Sequence, residues 1–223
     1  MIFGVGVLDI YIYLSFVLIM IFLSYGLFIK SKEYCPVKVR EVNFIILVLV
    51  MFRVMALWGL LVLDHMKIVY LIRNFVFLNV IYIPLIMFVC LYVFYRNTKI
   101  NLKWFYYIFI LGVGAYICCI FFIPMEYYIS PSYGYNIVLS NGIPYKYLLC
   151  LSGICFFLGM QALRYKYSVK WGIALVEGAA LFFVVSTALV LRSTENVGFL
   201  LLGEIVWLFV LYCSIRSFKK EGA

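Results

Sequence analysis

Seven long apolar stretches, divided by short polar segments, run the length of this chain: Ile10–Ile29, Asn43–Leu63, Asn74–Tyr95, Trp104–Pro124, Tyr147–Leu163, Trp171–Leu191 and Val197–Ile215. Each is close to the ~20 residues that carry a helix across a hydrocarbon core. A transmembrane barrel would show strands of about ten residues with alternating polarity. These runs are continuous and about twice that length. Lipid offers the backbone no hydrogen-bond partners, so continuous apolar runs of this length close their bonds internally as helices. The pattern predicts an all-α, polytopic membrane protein: one seven-helix transmembrane bundle over residues 1–223, with no soluble domain.

The polar breaks differ in charge. Breaks one, three and five and the C-terminal tail hold thirteen of the 18 Lys and Arg residues. Breaks two, four and six hold Lys67, Arg73, Lys146 and Arg192, and Arg53 lies inside a span. The positive-inside rule places the basic side in the cytoplasm, which gives an N-out, C-in orientation for seven spans. Tyr95, Trp104, Tyr147 and Trp171 at span ends suit interfacial aromatic belts. The second break, Asp64 to Arg73, is short and half apolar. The fourth, Met125 to Lys146, reads as the longest loop, rich in tyrosine, glycine and proline.

Composition agrees. Hydrophobic residues make up 68% of the 223 and charged residues 12%, against about 45–50% and about 25% in soluble domains. The lipid bilayer is the environment that suits such a chain. The net charge of +9 belongs with basic loops beside anionic lipid heads and not with nucleic acid. Seven cysteines occur without a CxxC pair, six of them inside apolar runs, and read as small buried hydrophobes. The first run lacks a basic segment before it and an A-x-A-like site after it, so it reads as a span and not a cleaved signal.

Charges inside the spans are the first candidates for function, since each costs about 2.5–3.5 kcal/mol on insertion scales unless paired or wet. Arg53 falls roughly 15 Å from the cytoplasmic end of its span and Glu177 roughly 10 Å from that end. Glu204 lies about a third of the way in from the other side. Arg53, between the two carboxylates in depth, is expected to pair with Glu177 or Glu204. The pair would order the helices, form a switch or ligand contact, or belong to a proton or ion path. A second group, near the outer face, comprises Asp9, Asp64, His65, Arg73 and Glu126 with Tyr127, Tyr133 and Tyr135. These could line a mouth for an extracellular ligand, or the tyrosines could anchor the interface. Pro84 is a hinge candidate inside the third span, or a residue that shapes packing. Gly153, Gly159, Gly172, Gly178, Ala179 and Ala180 give small faces for close helix approach.

No catalytic motif of the HExxH, GxSxG or P-loop type is present. A lone His65 does not make a metal site. Neither a metal, a cofactor nor enzymatic activity is expected.

The stretch Met55-Ala56-Leu57-Trp58-Gly59, then Arg73-Asn74-Phe75, Tyr82-Ile83-Pro84, Phe88, Tyr92 and Tyr95-Arg96, and a long outer loop ending near Asn141-Gly142, resemble the N-terminal seven-transmembrane sensor region of bacterial histidine kinases and diguanylate cyclases. The resemblance spans nearly the whole chain. It implies a bacterial plasma-membrane sensor. Family members continue into a cytoplasmic signalling domain, and these 223 residues contain no phosphoacceptor histidine, ATP-binding lobe or cyclase motif. The resemblance therefore implies a sensor module without its own output, which acts through a separate cytoplasmic or membrane signalling partner or else is a stand-alone relic or fragment. The alternative is a small transporter, or the substrate-binding membrane subunit of one, with the buried charges in its favour but no inverted repeat and few Gly- or Pro-broken spans near the midplane.

Overall fold

The structure, a computed structural model, describes residues 3–62, 66–96, 103–130, 134–192 and 197–219. It contains the helices α1 (Phe3–Tyr34), α2 (Val37–Val62), α3 (Met66–Val76), α4 (Asn79–Tyr95), α5 (Trp104–Phe122), α6 (Ile143–Leu163), α7 (Lys170–Arg192) and α8 (Val197–Lys219). A two-stranded hairpin, β1 (Met125–Ser130) and β2 (Gly134–Leu139), lies between α5 and α6. Among the described residues, seven segments are long and apolar enough to cross a membrane, with α3 and α4 together supplying the third, Tyr70–Tyr95. The protein is a seven-span, multi-pass membrane protein of all-α class.

The helices outrun the apolar stretches at their polar ends. The expected link from Lys30 to Val42 shrinks to Cys35 and Pro36, because α1 continues to Tyr34 and α2 starts at Val37. Helical hydrogen bonding does not stop where hydrophobicity does, and Lys and Arg reach water on long stems. Pro36 suits the junction: its carbonyl accepts the Arg40 N–H at 2.9 Å, and a proline before the first turn gives up an N–H that would have no helical partner.

Two further segments differ from the sequence reading. The half-apolar link after α2 is an amphipathic helix, α3, and not a bare connection; one apolar face lets a short helix lie against a bundle at an interface. It ends in a tight turn, with Val80 N–H bonded to Phe77 O at 3.1 Å and Ile81 N–H to Leu78 O at 2.9 Å. The long tyrosine-rich loop is an antiparallel hairpin in which Met125 pairs with Leu139 and Ser130 with Gly134. Its Tyr, Ile and Val content favours strands. A lone hairpin is marginal in water, but β2 packs on α2 and α3 and buries Ile137 and Leu139.

The helix α4 is the hub. It packs against α2, α5, α6, α7 and α8, and α1 is held at the side by α2 and α8. In the most apolar 18-residue stretch of the third span 83% of the residues are buried, against 17% in that of α5 at the rim. At two places the hub's neighbourhood closes so tightly that only glycine fits. A Cβ on Gly172 would lie 2.2 Å from the Phe94 ring, and one on Gly203 would lie 2.8 Å from Phe183. The Phe94 carbonyl also accepts the Val169 N–H at 2.8 Å, joining the end of α4 to the start of α7. The ends of α1, α4, α6 and α8 and the starts of α2, α5 and α7 form one face of the bundle. This basic face lies opposite the hairpin face.

Candidate functional site

Glu204, on α8, is fully buried, and three other buried side chains converge on it. Arg53 of α2 meets it side-on: Nη2 donates to Oε1 at 2.7 Å and Nε to Oε2 at 3.0 Å. From α4, Asn79 Nδ2 donates to Oε1 at 3.2 Å and the Tyr82 hydroxyl to Oε2 at 2.5 Å. Each carboxylate oxygen thus accepts two hydrogen bonds, which fills its capacity. The fork of a guanidinium matches a carboxylate in two parallel bonds. Arg53 is 3% exposed and Glu204 0%, so neither charge has water, and each depends on the other.

Helix geometry explains the choice of partner. Arg53 is sixteen residues from the start of α2 at Val37, roughly 24 Å along the axis. The true helix start places it past the middle of α2, nine residues, roughly 14 Å, from the end of the helix on the hairpin side. Glu204 lies seven residues into α8, roughly 10 Å from the same face. Asn79 and Tyr82, three residues apart on α4, share one side of that helix. Tyr145, near the start of α6, is buried close enough to feel both charges. Two buried polar atoms near this node have no partner among the described residues: Asn79 Oδ1, and the indole N–H of Trp207, three residues after Glu204 on α8.

Glu177 is not part of the node. It lies on α7 against α6, where a Cβ on Gly159 would sit 3.0 Å from its Cγ. Its Oε1 is enclosed without a hydrogen-bond partner among the described residues. Of the small residues singled out, Ala179 and Ala180 are buried and Gly172 meets Phe94, while Gly153 and Gly178 have open space.

The outer group is only partly described. Asp64, His65 and Tyr133 lie outside the described residues, as do the side chains of Asp9, Tyr127 and Tyr135. The Tyr127 backbone pairs with Ile137 and the Tyr135 backbone with Ile129. Arg73 on α3 sits 5.4 Å from the centre of the Tyr70 ring, a cation–π distance. Glu126 is exposed on β1. Because β2 packs on α3, the strand with Tyr135 and the helix with Arg73 share the hairpin face. Pro84 is buried within α4, which continues through it to Tyr95.

Asn79 and Tyr82 were not recognised as partners of Glu204 from the sequence. Their signal was available: a polar pair at helical spacing inside an apolar run, on a chain that also had to satisfy a carboxylate. At the opposite face a smaller polar contact ties α1 to α2, with Asn43 Nδ2 donating to Ser31 Oγ at 3.2 Å and to Cys35 Sγ at 3.6 Å. No group of three metal-ligating side chains occurs among the described residues. A scan of family models and a search of curated protein sequences return no match to this chain.

Proposed function

We propose that this bundle is a bacterial plasma-membrane sensor, of the kind seen in the N-terminal seven-helix regions of histidine kinases and diguanylate cyclases. It takes a ligand at the hairpin face and acts on a signalling partner at the basic face. In this reading the basic face is cytoplasmic, as the positive-inside rule requires. The observation that carries the proposal is the Glu204 node. One carboxylate on α8 is held by α2 and α4 near the hairpin face, and α8 then runs across to the basic face. A saturated polar lock holds one discrete arrangement, and a ligand that favours another arrangement of α2 or α4 has to move α8 with it. The hairpin rests on α2 and α3, so a ligand there bears on the helices that grip α8.

The test is affinity purification of the tagged protein from its native cells in mild detergent, with mass spectrometry of the proteins retained. A kinase, cyclase or response regulator whose output changes with Glu204→Gln supports the proposal. A transport ATPase, or retention and output indifferent to Glu204, overturns it. The transport reading has one observation of its own, the unpartnered Glu177 oxygen at the α6–α7 seam, which suits a proton or cation path. Substrate uptake lost in Glu177→Gln while Glu204→Gln only destabilises the fold would favour it.

A further inference from the structure

Away from the node, α1 and α2 enclose a groove on the outside of the bundle. Its deeper part, about 550 Å³, is lined almost wholly by apolar side chains, among them Phe22, Tyr25, Val48, Met51 and Met55. Its shallower part, about 540 Å³, contains Ser31, Lys32, Arg40 and Glu41. The two parts share Phe28, Phe44 and Leu47 and so adjoin along the α1–α2 seam, with the Phe28 and Phe44 rings 6.2 Å apart where they meet. The slot opens to the bundle's surroundings: Phe22 is 73% exposed and Met55 66%.

Length and charge select an occupant. From Arg40 to Met55 the slot follows α2 for roughly 22 Å, more than one leaflet's half of the ~30 Å hydrocarbon core. An acyl chain that starts at the head region occupies most of that length by the time it reaches the midplane. At the shallow end the charges are uneven. Lys30 is paired with Glu33 at 3.1 Å, but Lys32 and Arg40 join no ion pair among the described residues. With Glu41 beside them, the slot mouth carries a net single positive charge. Ser31, which accepts the Asn43 hydrogen bond, adds a hydroxyl to the wall.

We propose that the α1–α2 slot is a binding site for one anionic phospholipid, with an acyl chain along the apolar part and a singly charged phosphodiester between Lys32 and Arg40. The site is separate from the Glu204 node and does not depend on what the bundle senses. Lys and Arg at a membrane surface favour anionic heads over zwitterionic ones, and Glu41 limits the preference to one negative charge. In this site the lipid lies along α1, whose main packing partners are α2 and α8.

The experiment is native mass spectrometry of the full chain in detergent, titrated with phosphatidylglycerol or with phosphatidylcholine of the same acyl chains. One phosphatidylglycerol is expected to bind preferentially. Lys32→Gln with Arg40→Gln should lower that preference about twenty-fivefold, each basic group at the membrane surface contributing about fivefold. Val48→Trp should block both lipids while leaving the charges in place, and Glu41→Gln should strengthen phosphatidylglycerol binding. Equal affinity for the two lipids, a preference that survives the double substitution, or a second copy of the chain filling the slot in place of lipid overturns the proposal.

Discussion

Glu204 and Glu177 both lie deep within their spans, and their surroundings are opposite. Glu204, near the hairpin face, accepts four hydrogen bonds from three side chains on two other helices. Glu177, nearer the basic face, rests against Gly159 with one oxygen enclosed and unpartnered among the described residues. Both cost free energy to place in a membrane, but only one is repaid by partners. A carboxylate that three helices must share becomes a structural lock. A carboxylate without partners can be lost, or change its protonation, without dismantling the bundle. Chemical identity therefore does not tell which charge within the spans organises the fold; the supply of donors does.

The comparison is broken most directly at Arg53. Arg53→Leu leaves Glu204 buried without its counter-charge and is expected to destabilise the protein by about 3–5 kcal/mol, read by denaturant titration of the purified protein in detergent. Glu204→Leu in the same background should restore part of that loss, because the uncompensated charge is removed. A loss below about 1 kcal/mol for Arg53→Leu would place the pair among weak surface bridges and end the argument for a lock. Tyr82→Phe sharpens the node further. It deletes one hydrogen bond to a charged acceptor and should cost about 1.5–3 kcal/mol in the same assay, with the effect shrinking in the Glu204→Leu background.

At the other carboxylate the expected effects are smaller. Gly159→Ala places a methyl 3.0 Å from Glu177 Cγ; the side chain can swing aside, at a strain of about 0.5–1.5 kcal/mol. Glu177→Gln should alter stability by no more than about 0.5 kcal/mol. A loss as large as that of Arg53→Leu would show that Glu177 has partners that organise the fold and would erase the contrast.

The same physics explains which features were legible along the chain. The seven spans needed only apolar length, because a bilayer admits few other solutions for a continuous run. The salt bridge was half legible. The sequence named Arg53 and both carboxylates, but counting depth from Asn43 and not from the true helix start at Val37 left Arg53 between the two. The three-residue spacing of Asn79 and Tyr82 puts them on one side of a helix, but nothing in that spacing says which carboxylate on another helix meets them. The hairpin was read as loop because Pro131 and the surrounding glycines outweighed the strand-forming residues, and its stability comes from Ile137 and Leu139 buried against distant helices.

By itself, then, the sequence determined the membrane class, the number of spans and the residues whose charge had to be answered. Those follow from transfer free energies that each segment carries alone. Only the tertiary structure decided that α4 is the hub, that Glu204 and not Glu177 holds Arg53, and that α1 and α2 leave a slot with a basic mouth. Those depend on which helix faces meet, and within uniformly apolar helices the pattern of polarity does not specify the meeting; close packing at Gly172 and Gly203 and the few polar groups that must find one another do.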